Sequence, residues 1–368
     1  MKFSCTQTDL LLAINTVSKS ISNRSSMPIL TCMLLKIENG ELYLIGTDLE
    51  LSIKSKINAN IIEEGQIALD AKLFPEIIRR LSDENIEFET DPNNYVTIKC
   101  SKAEYKLAGQ PGEDYPKLPE IEKKDAVIMF QDELRNMIKA TIFSIAADET
   151  KPILTGELLE IENNEINLVA VDGFRISYKK GLVNNSEKSI TCIIPGKNLG
   201  ELSKILSTDK EDKLNMYFTD KHVLFELEDS LIISRLLEGK FINYKQNLID
   251  NYTTSITVSR VNLLNAVERM ALITGIDKKQ PIKFEIKDQK IMMTSSTTAG
   301  MGYEEIEVCM DGDGVIIAFN PKFLLDILKA IEDDEIILNL NTSISPCIIK
   351  ATEEGNYKYL VLPLRLNN

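Results

Sequence analysis

The sequence predicts an α+β protein made of three tandem repeats of one unit, each reading helix, strands, helix, strands. Three observations predict it. First, PILTCMLLKI at 28–37 and PILTGELLEI at 152–161 share seven of ten residues at a spacing of 124. Second, the same apolar helical face recurs ahead of the strands. It is Leu10, Ile14 and Val17, then Leu134, Ile138 and Thr141, then Leu263, which lies 129 beyond Leu134. That is the spacing of an amphipathic helix. Third, a second helical stretch in each unit carries a lysine, at 72, 197 and 322, spaced 125 and 125. A chain of 368 residues has room for two or three domains, and a unit of about 120 residues is an ordinary single domain.

In order, the first unit opens with a helix in TDLLLAINTVSKSI (8–21). The decapeptide leads into ENGELYLIGTDLELSI (38–53), a tight turn at Asn-Gly, an alternating strand, an Asp and a further strand. AKLFPEIIRRLS (71–82) is the second helix, followed by strands NIEFET and YVTIKC. The Pro-rich, charged GEDYPKLPEIEKKD (112–125) reads as a linker. The second unit repeats this with DELRNMIKATIFSI (132–145), ENNEINLVAVDGFRISY (162–178), GKNLGELSKILS (196–207), KLNMYF and HVLFELE. The third uses RVNLLNAVERMALITG (260–275), QPIKFEIKDQKIMMTSS (280–296), PKFLLDILKAI (321–331), EIILNL and SPCIIKA. Asn320 before Pro321 is an N-cap and first-turn pair. The expected domains are 1–124, 125–246 and 247–368, with GKFINYKQNLIDNY (239–252) at the second junction.

Most readable chemistry is absent. The single histidine, His222, sits in a strand pattern and cannot build a His-rich metal site. GxxxxGK[ST], GxGxxG and GxSxG do not occur. MDGDGV (310–315) starts like a calcium loop, but its twelfth position is Lys322, so it reads as a Gly-rich hairpin turn. The six cysteines, at 5, 32, 100, 192, 309 and 347, show no CxxC spacing and read as small buried residues in a reducing compartment. Asp48 and Asp172 could be a pair of acid–base carboxylates. Their equivalent positions in different repeats favour a structural role in turns. No apolar run approaches a membrane span, and Asp9 and Asn15 interrupt the N-terminal apolar stretch, so a cytoplasmic protein is expected.

The net charge of −14 argues against nucleic acid at face value. The charge is unevenly spread. The six helical windows together carry +6, leaving −20 for strands and loops. A positive helical face would suit a DNA backbone without base reading, although Lys and Arg are also good helix formers. Roughly one net charge per helix is too little for tight binding by counterion release.

The chain closely resembles the β subunit of bacterial DNA polymerase III, the replicative sliding-clamp family. The resemblance covers the whole chain and rests on MPIL (27–30), GTDLE (46–50), GEDYP (112–116), VDGFR (171–175), AFNPKFLLDIL (318–328) and YLVLPLRL (359–366). It implies a non-enzymatic, head-to-tail homodimer. Six domains would form a ring with helices inside and sheets outside. Double-stranded DNA would be encircled without sequence preference, which makes weak contacts sufficient. It implies no cofactor and no metal. The implied partners are the polymerase III α subunit, an ATP-driven clamp loader and other proteins with a clamp-binding motif.

By the same resemblance, Arg24, Lys72, Arg79, Arg80, Lys151 and Lys197 would face DNA. A partner-peptide pocket between the second and third domains would be walled by Leu154, Gly173, Phe174, Arg175, Ile176, Ile242, Phe323, Ile344, Leu360, Val361, Leu362, Pro363, Leu364 and Arg365. Phe174, Ile242 and Gln246 depart from the family, where many members have His, Pro and Arg; the resemblance does not carry the peptide preference. Pro363, inside an apolar strand pattern, suits an edge. Tyr105 and Leu107 would meet Leu272, Ile273 and the strand of Glu304 and Glu305 across the dimer. Two other readings compete: an enzyme using Asp48 and Asp172, and a peptide-binding repeat scaffold without DNA.

Overall fold

The structure, a computed structural model, describes every residue except 23–24, 83–84, 149, 185–188, 249–250, 275–279, 299, 353–354 and 366–368. The described residues form six α-helices and 27 strands in four antiparallel sheets. The helices are α1 (Gln7–Val17), α2 (Leu73–Ile78), α3 (Gln131–Thr141), α4 (Gly196–Ile205), α5 (Arg260–Thr274) and α6 (Pro321–Ala330). The chain packs as two compact units, Met1–Asp132 with Glu201–Leu236, and Glu133–Gly200 with Leu237–Asn368.

The first unit holds two sheets. A five-stranded sheet starts at Ala59–Glu63 and ends at the edge strand Ala103–Ala108. A nine-stranded sheet runs from Gln110–Pro111 to Val127–Phe130. Within it Leu51–Ile57 pairs antiparallel with Ser230–Arg235, Ile53 opposite Ile232, so one sheet joins two repeats. The second unit repeats the plan. Its nine-stranded sheet runs from Ile190–Pro195 to Cys309–Gly312 and joins two repeats where Arg175–Leu182 pairs with Tyr357–Val361. A four-stranded sheet runs from the edge strand Gly300–Glu307 to Val315–Phe319.

Local chemistry explains the elements. The Thr6 hydroxyl accepts from Asp9 N and caps α1. Asn320 caps α6 the same way, with Pro321 in the first turn, as the sequence predicts. Asn39–Gly40 and Asn163–Asn164 hold positive φ at both central positions, the twist a two-residue hairpin needs. Apolar helix faces then close the cores. Leu263, Ala266 and Val267 of α5 and Leu324, Ile327 and Leu328 of α6 share one buried cluster with Phe284 and Phe319. Burying each Leu, Ile, Val or Phe side chain there contributes about 1.5–3 kcal/mol.

Four expectations need correction. MDGDGV is no hairpin: Cys309–Gly312 pairs with Thr254–Ser259 in one sheet, and Val315–Phe319 with Ile282–Lys287 in another. Gly312, at φ +102, permits that crossing, since a Cβ there would lie 2.0 Å from the Thr253 carbonyl oxygen. The second helix of the first repeat is shorter than 71–82. After Ile78 it tightens into three-residue turns, Arg80 N to Ile77 O and Leu81 N to Ile78 O. The cysteines are not all buried, because Cys309 is exposed on an edge strand and Cys192 half-buried. Pro363 lies beyond its strand, which ends at Val361.

Candidate functional site

The sheet shared by the second and third repeats gathers most of the residues assigned to a partner pocket. Ile176 stands opposite Leu360, and Arg175 opposite Val361. Alternation along the strands separates two faces. On one, Leu154, Ile176 and Leu360 join Leu158, Val169, Ile193 and Tyr244 in a single apolar cluster. On the other, Val361 is fully buried with Tyr357 and Tyr359 in the core under α5 and α6. Val361 therefore does not share the face of Leu360.

The turn before this strand sets the wall. Asp172 Oδ1 accepts from Phe174 N at 2.8 Å and Arg175 N at 3.0 Å, an Asx turn with Gly173 at φ +93. Asp48 does the same for Glu50 N and Leu51 N. Both carboxylates are thus engaged as turn acceptors. The turn leaves Phe174 57% exposed and sends Arg175 inward, 5% exposed. Arg175 Nε donates to Asp172 Oδ2 at 2.9 Å, Nη1 to Asp326 Oδ2 at 2.6 Å, and Nη2 to the Phe143 carbonyl. Its guanidinium lies 4.6 Å from the Phe323 ring and 5.3 Å from the Phe143 ring. Phe174 stacks on Phe323 with centroids 6.1 Å apart and planes at 24°. Arg175 thus braces the wall from behind. The sequence placed it on the surface of the pocket and gave no sign of its partners.

The tail completes the rim. Leu362 N donates to Phe174 O at 2.9 Å and Leu364 N to Ala318 O at 2.8 Å. Pro363, which has no N–H, falls between these two bonds. Leu362, Ile242 and Ile344 are 37%, 42% and 73% exposed; Pro363 and Leu364 are half-buried and Arg365 is exposed. Ile242 lies between Phe241 and Tyr244, both packed on the apolar cluster.

Of the basic candidates, Arg24 lies outside the described residues. Lys72, Arg79 and Arg80 are exposed at α2, and Arg79 and Arg80 both pair with Glu76, at 2.6 and 2.5 Å. Lys151 is exposed at the start of the 3-10 turn Pro152–Thr155, and Lys197 in the first turn of α4. Tyr105 (41% exposed) and Leu107 lie on the edge strand Ala103–Ala108. Glu304 and Glu305 lie on the edge strand Gly300–Glu307, against which α5 packs Ile273; Leu272 is 80% exposed. Arg269 grips Glu304 at 2.6 and 2.8 Å and holds its carboxyl below the usual range. Sequence reasoning missed Met301 and Tyr303, exposed on the same strand. Their signal is the alternation in GMGYEEIE. Among the described residues no cluster of His, Cys, Asp or Glu is arranged to hold a metal, and no helix is long and apolar enough to cross a membrane.

Three models of one family match in tandem: the N-terminal, central and C-terminal domains of the DNA polymerase III beta subunit, over residues 1–119, 129–243 and 245–365. The beta sliding clamp of Bacillus subtilis (strain 168) is 32% identical over 378 residues, covering 99% of this chain and 100% of the relative. The crystal structure of the DNA polymerase sliding clamp from Bacillus subtilis superposes with a TM-score of 0.96 at 31% identity, over 100% of both chains. That of a candidate DNA polymerase III beta subunit from Eubacterium rectale does so with 0.96 at 36%, again over 100% of both. With three α+β domains in tandem and one fold shared along its full length, the chain belongs to the DNA polymerase III beta subunit family, the beta sliding clamps.

Proposed function

We propose that this clamp works as a head-to-tail homodimer closed through two sheet edges, and that the ring so formed holds duplex DNA while partners dock beside the C-terminal strand. Family membership makes the chain a non-catalytic clamp that encircles DNA and confers processivity. One observation carries the dimer. Two sheets of nine strands each cross a repeat boundary, while the other two have five and four strands and end at Ala103–Ala108 and Gly300–Glu307. Joining those edges between protomers would make a third sheet of nine. The edges are otherwise open templates for pairing. Tyr105, Leu107, Leu272, Ile273, Glu304 and Glu305 would lie at that joint.

In this reading Arg24, Lys72, Arg79, Arg80, Lys151 and Lys197 face the DNA. The apolar cluster of Leu154, Ile176 and Leu360, rimmed by Phe174, Ile242, Phe323, Ile344, Leu362 and Leu364, takes a short peptide from the polymerase α subunit, a clamp loader or a repair factor. The working boundaries stay at 1–124, 125–246 and 247–368, and the setting is the cytoplasm. The test is retention on DNA. The protein is loaded on nicked circles by a clamp loader, freed of unbound protein, and the circle is cut once. Retention before the cut and release after it is expected. Equal retention on both forms would mean ordinary binding and would overturn the ring.

A further inference from the structure

We propose that the cavity roofed by residues 115–121, within the first unit, is a binding site for a small aromatic carboxylate, whose ring stacks on Tyr115 and whose charge meets Lys36 and Lys54. The roof belongs to the stretch that reads as a linker, and it lies as a strap on the nine-stranded sheet. Near one end the Tyr115 hydroxyl donates to the Cys32 carbonyl at 3.1 Å; beyond the other, Lys123 pairs with Glu226. Between them Leu118 packs on two apolar clusters, one with Leu34 and Ile45, the other with Leu224 and Ile233. Between strap and sheet lies a cavity of about 700 Å³, a size that suits a small molecule. Leu34, Ile45 and Ile233 line its apolar part, and Lys36, Lys54 and Glu38 its charged part.

The second repeat fills the corresponding place with its own side chains. The registers fix the correspondence. Lys54 stands opposite Leu231 as Tyr178 stands opposite Lys358, and Lys36 opposite Tyr43 as Glu160 stands opposite Asn167. In the second repeat Tyr178 stacks on Tyr244 with centroids 6.1 Å apart and planes at 29°. The Tyr244 hydroxyl donates to Glu160 at 2.6 Å. In the first repeat Tyr115 takes the place of Tyr244, but Lys54 replaces the stacking ring and Lys36 replaces the carboxylate. Lys54 instead lies over the Tyr43 ring, 3.6 Å from its centroid, and among the described residues no ring stacks on Tyr115. Lys36 and Lys54 share one carboxylate, Glu38, at 2.6 and 3.2 Å, which leaves one positive charge in excess between them.

An aromatic acid supplies both missing groups, a ring for Tyr115 and an anion for the two ammonium groups. A neutral ring would leave the excess charge uncompensated, and an aliphatic acid would forgo the stack. The strap covers the apolar part, so the site suits a small molecule rather than the surface of a folded protein.

The probe is naphthalene-2-carboxylate, titrated into the full chain by calorimetry, with one site per protomer expected. Naphthalene-2-carboxamide, which lacks the charge, should bind about tenfold or more weakly, the worth of a hydrogen bond to a charged group. Decahydronaphthalene-2-carboxylate, which lacks the ring, should lose about 2–12-fold. Lys54→Tyr and Lys36→Glu each write in the residue of the second repeat, and each should weaken naphthalene-2-carboxylate by about tenfold or more, with circular dichroism confirming the fold. If one variant fails to fold, the other and the carboxamide comparison on the native chain decide. No saturable binding, a carboxamide that binds equally well, or an affinity unchanged by the substitutions would overturn the proposal.

Discussion

At the scale of single residues, Glu157 is where the repeat breaks a physical rule. It is fully buried, its Oε2 lies 2.6 Å from the Thr141 hydroxyl, and its Oε1 has no hydrogen-bond partner. Burial pushes its pKa up to about 8. The Thr141 hydroxyl is also 2.9 Å from the Met137 carbonyl, so a neutral Glu157 can donate to Thr141 while Thr141 donates to Met137. The folded state then holds this proton more tightly than the unfolded chain, whose carboxyl ionises near its ordinary value of 4.5. The sign follows. Stability from this group is full below pH 4.5 and is lost as pH rises towards 8, at up to about 1.4 kcal/mol per pH unit. Glu157→Met should flatten that part of the stability profile and raise the melting temperature most at pH 8. A wild-type profile already flat between pH 5 and 8 would refute this. The sequence held the clue. The first decapeptide has Met33 at this position, and Met33 is also fully buried. What the sequence could not reveal is the reverse case, Arg175, whose partners Asp326 and Phe143 lie 151 and 32 residues away.

At the scale of elements, repetition explains the architecture better than it explains function. The apolar cluster proposed to take a peptide, with Leu154, Leu158, Val169 and Tyr244, has a counterpart in Leu30, Leu34, Ile45 and Tyr115. The strand entrances match as well: Leu362 N donates to Phe174 O, and Arg235 N donates to Glu50 O, both at 2.9 Å. Yet where one site has an exposed Phe and Leu, the other has Glu50 and Arg235, paired at 3.4 Å. The first site is thus closed by charge to an apolar anchor, and peptide titrations should saturate at one per protomer. Writing the first repeat's residue into the second, Phe174→Glu, should weaken peptide binding by about tenfold or more, because an anchor would then bury an unpaired carboxylate. Unchanged affinity would mean that the peptide does not reach this wall. Helix positions and the Asn-Gly and Asn-Asn turns were legible because period and φ preference are local. The third repeat makes the same turn with Asp288 and Gln289, both at positive φ, residues that give a weaker turn signal. The crossing at Gly312 was not legible, since a chain passing from one sheet to another and a hairpin turn share one composition.

For the whole molecule, the −14 net charge and the mild +6 of the helical windows fit a protein that needs little affinity for what it surrounds. Roughly one net charge per helix cannot bind DNA tightly by counterion release. What must be strong is the joint that closes the proposed ring, and it has to be found in strand edges. Neither edge strand has a buried residue. Alternate amides on the outer side of an edge strand lack a ladder partner within the protomer. Pairing Ala103–Ala108 with Gly300–Glu307 of a second copy would satisfy both rows at once. Amide hydrogen exchange separates this from docking through side chains alone. In the dimer, alternate amides of 103–108 and of 300–307 should exchange slowly. On dilution to the monomer, both sets should speed up together, because one contact protects them. Fast exchange at both edges in a proven dimer would mean that the joint is made by side chains such as Leu272, Met301 and Tyr303. Protection at only one edge would mean that the head-to-tail pairing is wrong.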